Sequence, residues 1–341
     1  MRKIVFSILF SCVLFKYFCQ DFHFSQNSEN PSFFNPAMVS LNDAWERITI
    51  NQRNQWISGT TKFNTFTISV ESAILKKKGY VSPSSYMGLG LILQNDVGGD
   101  SKLGYTLIGL QSSAIIPLAK SKKISIGIQA SYGNKSVDLS KVQFESQWNE
   151  NRFDSYILSG EGQNSFNFFD ASAGIALTKS ALRKSNLKSQ SSSYLFSFSA
   201  SHLNQPSYNF LGVKGDKQFI KYALYINYFK YLKGSKIAIG THLFSFLQGP
   251  HLENQLGFSF RTFLKKSGPQ VLKENTYFVD LSFFYRVNET LIPRILFSWK
   301  GYRVGFSYDI HTGLIKNNGN KGSLEVFLQA NTFKSSLFKR K

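Results

Sequence analysis

The stretch Tyr302-Arg303-Val304-Gly305-Phe306-Ser307-Tyr308-Asp309-Ile310 alternates a bulky apolar residue with a small or charged one at every step. Successive side chains of a β-strand point to opposite faces, so this run has one apolar face and one polar face. The same period governs Ile124, Ile126, Ile128, Ala130 and Tyr132, set between Ser125, Gly127, Gln129 and Ser131. It returns in Tyr277, Val279, Leu281, Phe283 and Tyr285, set between Phe278, Asp280, Ser282, Phe284 and Arg286. A water-soluble sandwich would alternate in the same way, and segment length separates the two. These runs extend over about 9 to 16 residues, whereas soluble strands centre on roughly 5 to 6 and a tilted transmembrane strand needs about 9 to 11. Trp56, Tyr86, Trp299 and Tyr302 fall near segment ends, where a membrane barrel carries its aromatic girdles. The fold class expected is all-β, a transmembrane antiparallel β-barrel.

Outward from these segments, strands are expected near 46–56, 62–74, 85–94, 103–118, 123–139, 166–178, 193–203, 218–231, 236–247, 254–264, 276–287, 291–299, 302–311 and 322–333. That makes fourteen, an even number, as a closed barrel with both ends on one side requires. Pro293 has no N–H to give a ladder and is expected to distort its strand. Fourteen strands also sort the connections onto two rims. The rim shared with the strand termini carries 20 basic residues and one acid, Glu274, while the opposite rim carries 7 basic and 9 acidic residues. A miscounted strand would scramble that split. With the termini in the periplasm, as in other outer-membrane barrels, the basic rim faces the periplasm. It serves either solubility and contact with acidic lipid headgroups or docking of an acidic periplasmic partner.

The net charge of +20 comes with a leader, which argues against nucleic acid as the partner. Arg2 and Lys3 precede the apolar run from Ile4 to Leu14, so residues 1–20 read as a secretory signal peptide cleaved near Gln20. Both cysteines, Cys12 and Cys19, lie inside it, leaving the mature chain without thiol or disulfide. No later stretch reaches the roughly 20 apolar residues of a membrane helix. The chain therefore divides into the leader, an N-terminal strap or plug segment at 21–45, the barrel at 46–333 and a basic tail at 334–341.

The polar faces of the last strands hold Asp280, Arg286, Arg303, Asp309 and Glu325, which a lumen tolerates and lipid does not. They form either a structural ion-pair network or a path for a substrate. The five histidines, His23, His202, His242, His251 and His311, have no metal-ligand spacing. No nucleophile motif or phosphate loop is present, so neither cofactor nor enzymatic activity is expected. A Ser–His pair assembled in space stays open at this point.

The opening Asp21-Phe22-His23-Phe24-Ser25-Gln26 with Asn35-Pro36-Ala37, followed by Arg53-Asn54-Gln55-Trp56, resembles the PorP/SprF family of the type IX secretion and gliding machinery of Bacteroidetes. Asp96 and Gly98 stand at an Asp-x-x-Gly-like turn. Asp170 to Gly174, His202, Pro206-Ser207-Tyr208-Asn209-Phe210, Tyr308-Asp309, Gly322 and Glu325 continue in the same order. Ser40 departs from the pattern, standing where a glycine is usual, as does the basic tail after Phe333. The resemblance implies a barrel that helps export or anchor large adhesins by binding their C-terminal sorting domains, in some members beside a periplasmic peptidoglycan-binding protein. Residues for partner contact are then His23, Phe24, Ser25, Gln26, Asn35, Pro36, Arg53, Gln55, Trp56, His202, Pro206, Asn209 and Phe210. The stretch from His23 to Ala37 precedes the first strand, so it is either a strap satisfying lumen polar groups or a partner contact. His202 with Pro206 to Phe210 is likewise either a packed surface loop or part of a docking surface. The alternative to a docking barrel is a passive porin-like channel.

Overall fold

The computed structural model describes residues 21–56, 62–76, 84–99, 101–119, 121–139, 144–149, 152–154, 163–180, 191–208, 216–233, 235–264, 277–312 and 322–333. The expected leader, the tail after Phe333, Asn209 and Phe210 lie outside the described residues.

In chain order the strands are β1 (Glu46–Gln55), β2 (Phe63–Ile74), β3 (Tyr86–Gly98), β4 (Leu103–Ala119), β5 (Lys122–Asp138), β6 (Trp148–Asn149), β7 (Arg152–Phe153), β8 (Gln163–Lys179) and β9 (Ser191–Ser201). They continue with β10 (Ser207–Tyr208), β11 (Asp216–Lys217), β12 (Lys221–Tyr231), β13 (Ile237–Gln248), β14 (His251–Phe263), β15 (Phe278–Arg286), β16 (Thr290–Trp299), β17 (Tyr302–His311) and β18 (Ser323–Asn331). Fourteen of these close one antiparallel barrel, each pairing with its neighbours and β1 with β18, as the alternation leads one to expect. β6 with β7 and β10 with β11 form two small hairpins outside the barrel, on connections of the rim opposite the termini. The seam between first and last strands is fully zipped, from Arg47 opposite Asn331 to Gln55 opposite Ser323. Closure leaves no strand edge, which is what lets a sheet span lipid with every main-chain group satisfied.

The alternation has the inverted sense of a membrane barrel. In β15 the residues Leu281, Phe283 and Tyr285 are exposed, while Phe278, Asp280, Ser282, Phe284 and Arg286 are buried toward the lumen. Ile126, Ile128 and Tyr132 of β5 and Phe306, Tyr308 and Ile310 of β17 are likewise outward. A continuous apolar belt outside and polar, buried residues inside is stable only when lipid covers the belt. Trp299 and Tyr302 are exposed with their rings 6.2 Å apart, as an interfacial girdle should be.

Some local expectations change. Tyr86 is not a girdle residue: it faces inward, is buried, and its hydroxyl donates to the carbonyl of Ser40 at 3.1 Å. Asp96 and Gly98 lie within β3, and the turn comes one residue later, at Gly99 with φ 75°. Pro293 disturbs only one side of its strand. It stays opposite Phe283 of β15, whereas the ladder to β17 passes from Leu291–Ile310 to Arg294–Ser307 without pairing Ile292 or Pro293.

Candidate functional site

The interior is the candidate site, and the segment before β1 fills it. Residues 21–45 run as an extended strap with two short 3-10 turns, Pro31–Phe33 and Pro36–Met38, from the far mouth of the lumen to the terminal rim. The prolines fix φ where the strap turns and remove donors that could not reach a ladder.

At the far mouth Asp21 is held from several sides. Its main-chain N–H donates to Gln248 Oε1 at 3.1 Å, and its carboxylate lies 2.7 Å from His202 Nε2 and 2.8 Å from Gln218 Nε2. His202, just past β9 at φ 59°, is sandwiched, because its Nδ1 lies 3.0 Å from Asp170. Burial opposes the charge on His202, but Asp21 and Asp170 outweigh it and raise the pKa to about 9. Burial would also raise Asp21, yet His202 and Lys221 hold its carboxyl well below the usual range.

Further in, His23 meets Glu253 at 3.2 Å and its carbonyl accepts from Arg53 Nη1 at 2.7 Å. Phe24 packs edge-on to Phe33. Glu325 of β18 then accepts two consecutive main-chain N–H groups, from Ser25 at 2.6 Å and Gln26 at 3.0 Å. The Ser25 hydroxyl donates to Asp309, and its carbonyl accepts from Gln255. Glu29 pairs with Arg294 at 2.9 Å and, at 3.6 Å, with Arg303. Beyond it the Phe34 ring fills an aromatic nest of Tyr225, Phe244 and Phe246. Asn35 ties the strap to the wall through Nδ2 to Ser197 Oγ at 2.6 Å, and its Oδ1 caps the second turn by accepting from Ala37 N. The wall opposite is glycine because nothing larger fits. A Cβ on Gly174 would lie 2.0 Å from Asn35 Oδ1, and one on Gly127 2.3 Å from the Ala37 nitrogen.

At the terminal rim Ser40, at φ 54°, donates its N–H to Glu71, itself paired with Arg47 at 2.6 Å. Lys76 donates to the carbonyls of Asp43 and Ala44, and Lys123 pairs with Asp43 at 3.2 Å. Part of the basic rim thus anchors the strap, while Lys122, Lys233, Lys236 and Lys300 remain exposed.

The five charges expected in the lumen do line it, in a wider network than the sequence suggested. Arg53 pairs with Asp309 at 3.0 Å, Arg286 with Glu253 at 3.2 Å, and Asp280 with Arg261 and Arg294 at 2.8 and 3.3 Å. Arg261, Arg294, Glu253 and Glu29 were missed. The strand members follow the inward parity already visible for Asp280, whereas Glu29 gives no signal outside a strand. Of the residues named for partner contact, Phe24, Ser25, Gln26, Asn35, Pro36, Arg53 and His202 are buried inside, and Pro206 is buried at the far rim. Gln55 and Trp56 end β1 at the far mouth, half-buried, with the Trp56 ring against Phe63.

Among the described residues a Ser–His pair does assemble. His242 Nε2 lies 2.8 Å from Ser259 Oγ and its Nδ1 3.0 Å from the Asn227 amide. Ser259 is wholly buried and also contacts Ser282 Oγ at 2.9 Å, so no acyl group can reach it in this state. Among the described residues no group of His, Cys, Asp and Glu could hold a metal. Among the described residues the lumen keeps a sizeable space, a vestibule of about 380 Å³ at the terminal rim beside the strap.

Residues 17–329 match the model of a family described as type IX secretion system membrane protein PorP/SprF. No curated protein matches the sequence. Among solved structures, a deletion mutant of the monoaromatic hydrocarbon channel TodX is similar with TM-score 0.45 and 7% identity, over 90% of this chain and 94% of that one. CdiB from Acinetobacter baumannii is similar with TM-score 0.43 and 5% identity, over 85% of this chain and 60% of that one, so the chain spans less than two thirds of CdiB. The transport unit of the autotransporter AIDA-I from Escherichia coli has TM-score 0.39 and 11% identity, over 89% and 96% of the two chains. At such low identity the likeness extends to barrel form and no further.

Proposed function

The chain belongs to the PorP/SprF family of type IX secretion system membrane proteins, and from that premise we propose that it is a docking barrel. It receives the C-terminal sorting domain of a secreted or adhesin protein at the outer membrane and supports its export or surface attachment. The observation that carries this reading is the strap: a lumen occupied from mouth to mouth by the chain's own residues offers surfaces to partners rather than a path to solutes. The exposed lysines of the terminal rim, facing the periplasm, are suited to an acidic partner such as a peptidoglycan-binding protein, and outer-membrane lipid covers the belt. The barrel works without catalysis and without a cofactor.

Crosslinking of the tagged protein in its native outer membrane, followed by mass spectrometry, tests the reading. Recovery of a large secreted protein through its C-terminal domain is the expected result. Recovery of the barrel and lipopolysaccharide alone, with steady conductance in planar bilayers, would replace it with the porin-like channel.

A further inference from the structure

The vestibule at the terminal rim has a chemistry the strap uses only in part. Around it and just behind its wall stand four guanidinium groups, Arg47, Arg261, Arg294 and Arg303, against the three carboxylates paired with them, Glu29, Glu71 and Asp280, while of the other charged lining residues Asp43 is held by Lys123 and Lys179 adds a further cation. The surplus settles on Arg303. Its contact is the longest of the set, 3.6 Å to a Glu29 already held by Arg294 at 2.9 Å, and its side chain is 36% exposed where those of Arg261 and Arg47 are 17% and 10% exposed. A guanidinium carries five donors in a planar fork that suits a carboxylate bidentately, and Arg303 has most of them to spare, aimed into about 380 Å³ of space. That volume lies within the roughly 300–1,000 Å³ of small-ligand sites.

The remaining wall narrows the class of anion. Tyr194, Tyr231 and Phe278 line the same space, with Arg261 4.3 Å and Arg303 5.7 Å from the Phe278 ring centre. An apolar or aromatic side chain placed beside the carboxylate would be covered by these faces. Inorganic phosphate and a bare lipid headgroup bring no such group. The neighbouring lumen wall also already binds extended polypeptide through its main chain, at Ser25, Gln26, Phe34, Val39 and Ser40.

We propose that the vestibule binds the carboxyl end of a polypeptide entering from the terminal rim, its terminal carboxylate on Arg303 and an apolar side chain against Phe278. The proposal rests on the docking reading and specifies the partner's chemistry at one place in the barrel.

The test uses the purified full-length barrel in neutral detergent and a fluorescein-labelled pentapeptide ending in leucine and phenylalanine, as free acid and as C-terminal amide, followed by anisotropy. The free acid should bind at least tenfold more tightly than the amide. Arg303→Gln should lose the same factor for the acid and leave the amide unchanged. Arg303→Lys, which keeps the charge without the fork, should fall between. Equal affinity of acid and amide for the native chain overturns the proposal, a comparison that needs no variant to fold. Inorganic phosphate binding as tightly as the peptide acid would overturn it as well. Cargo recovered by crosslinking together with equal acid and amide binding would reject this site and leave the docking reading standing.

Discussion

Replacing Glu325 by alanine should release the upper strap while leaving the barrel closed. Glu325 is buried and accepts the main-chain N–H groups of Ser25 at 2.6 Å and Gln26 at 3.0 Å. Its removal strands two buried donors at about 1–3 kcal/mol each. Allowing for water that enters the vacated space, the local opening free energy of the strap should fall by roughly 2–4 kcal/mol, or roughly 30- to 1,000-fold in the open population. Asn27 supplies the reporter, because it is buried, its amide group has no hydrogen-bond partner, and the sequence after Cys19 contains no cysteine. Asn27→Cys labelled by a soluble maleimide reports opening when reclosing is faster than reaction. The labelling rate should rise by that factor in the double variant Asn27→Cys, Glu325→Ala, with Glu325→Gln intermediate because one acceptor oxygen survives. Unchanged heat-modifiability on gels would show the barrel intact. An unchanged labelling rate in an intact barrel would refute the reasoning, since the strap would then be held without the clamp.

The latch at the far mouth should depend on pH with a definite sign. His202 is raised from its usual 6.5 to about 9, so its contribution is whole below about pH 6.5 and lost as pH rises through about 9. Asn27→Cys labelling should therefore accelerate from pH 7 to 10 beyond the intrinsic rise of thiol reactivity, and His202→Gln should remove that excess. Gly127→Ala places a methyl group against the main chain of Pro36 and Ala37 and should cost at least the roughly 1–3 kcal/mol of an overpacked core, read as a lower heat-modifiability midpoint. Ser40→Gly should raise that midpoint, because it relieves a left-handed residue at φ 54° and removes a buried hydroxyl with no partner, a net gain of about 1 kcal/mol. A fluorophosphonate probe should leave Ser259 unlabelled in the folded barrel, and labelling would show access that this structure lacks.

The barrel was legible because its signal repeats. Each strand states its own two faces, and counting them fixes closure and rims without knowledge of any contact. The strap was legible only as a question, since a segment outside the period has no face to assign. Tyr86 shows the limit within strands, for an aromatic residue at a strand end reads as girdle whichever way it points. Its parity mates settle the matter afterwards: Gly88 and Gly90 share its face, and a Cβ on either would press on the strap at Val39. Glycine at alternate positions thus marked the wall that the strap lies against. Arg53 was conspicuous in a family-like motif, but its intrachain partners, Asp309 and the His23 carbonyl, are distant in sequence and gave no signal of their own. Ser40 is the converse, since its departure from the usual glycine pointed to the one strap residue with positive φ.

The strap's route also couples it to the closing seam of the barrel. Its upper half is gripped by Arg53 of β1 and by Glu325 and Asp309 of β18 and β17, the strands at and beside the seam, across as many as 300 positions of sequence. Strap capture and seam closure are therefore coupled, and a nascent chain that lacks its last strand lacks the Glu325 clamp on Ser25 and Gln26. Asp21 finishes at the mouth opposite the strand termini. The first and last described residues, Asp21 and Phe333, thus lie at opposite mouths of the barrel, and the strap crosses the whole lumen before the first strand begins.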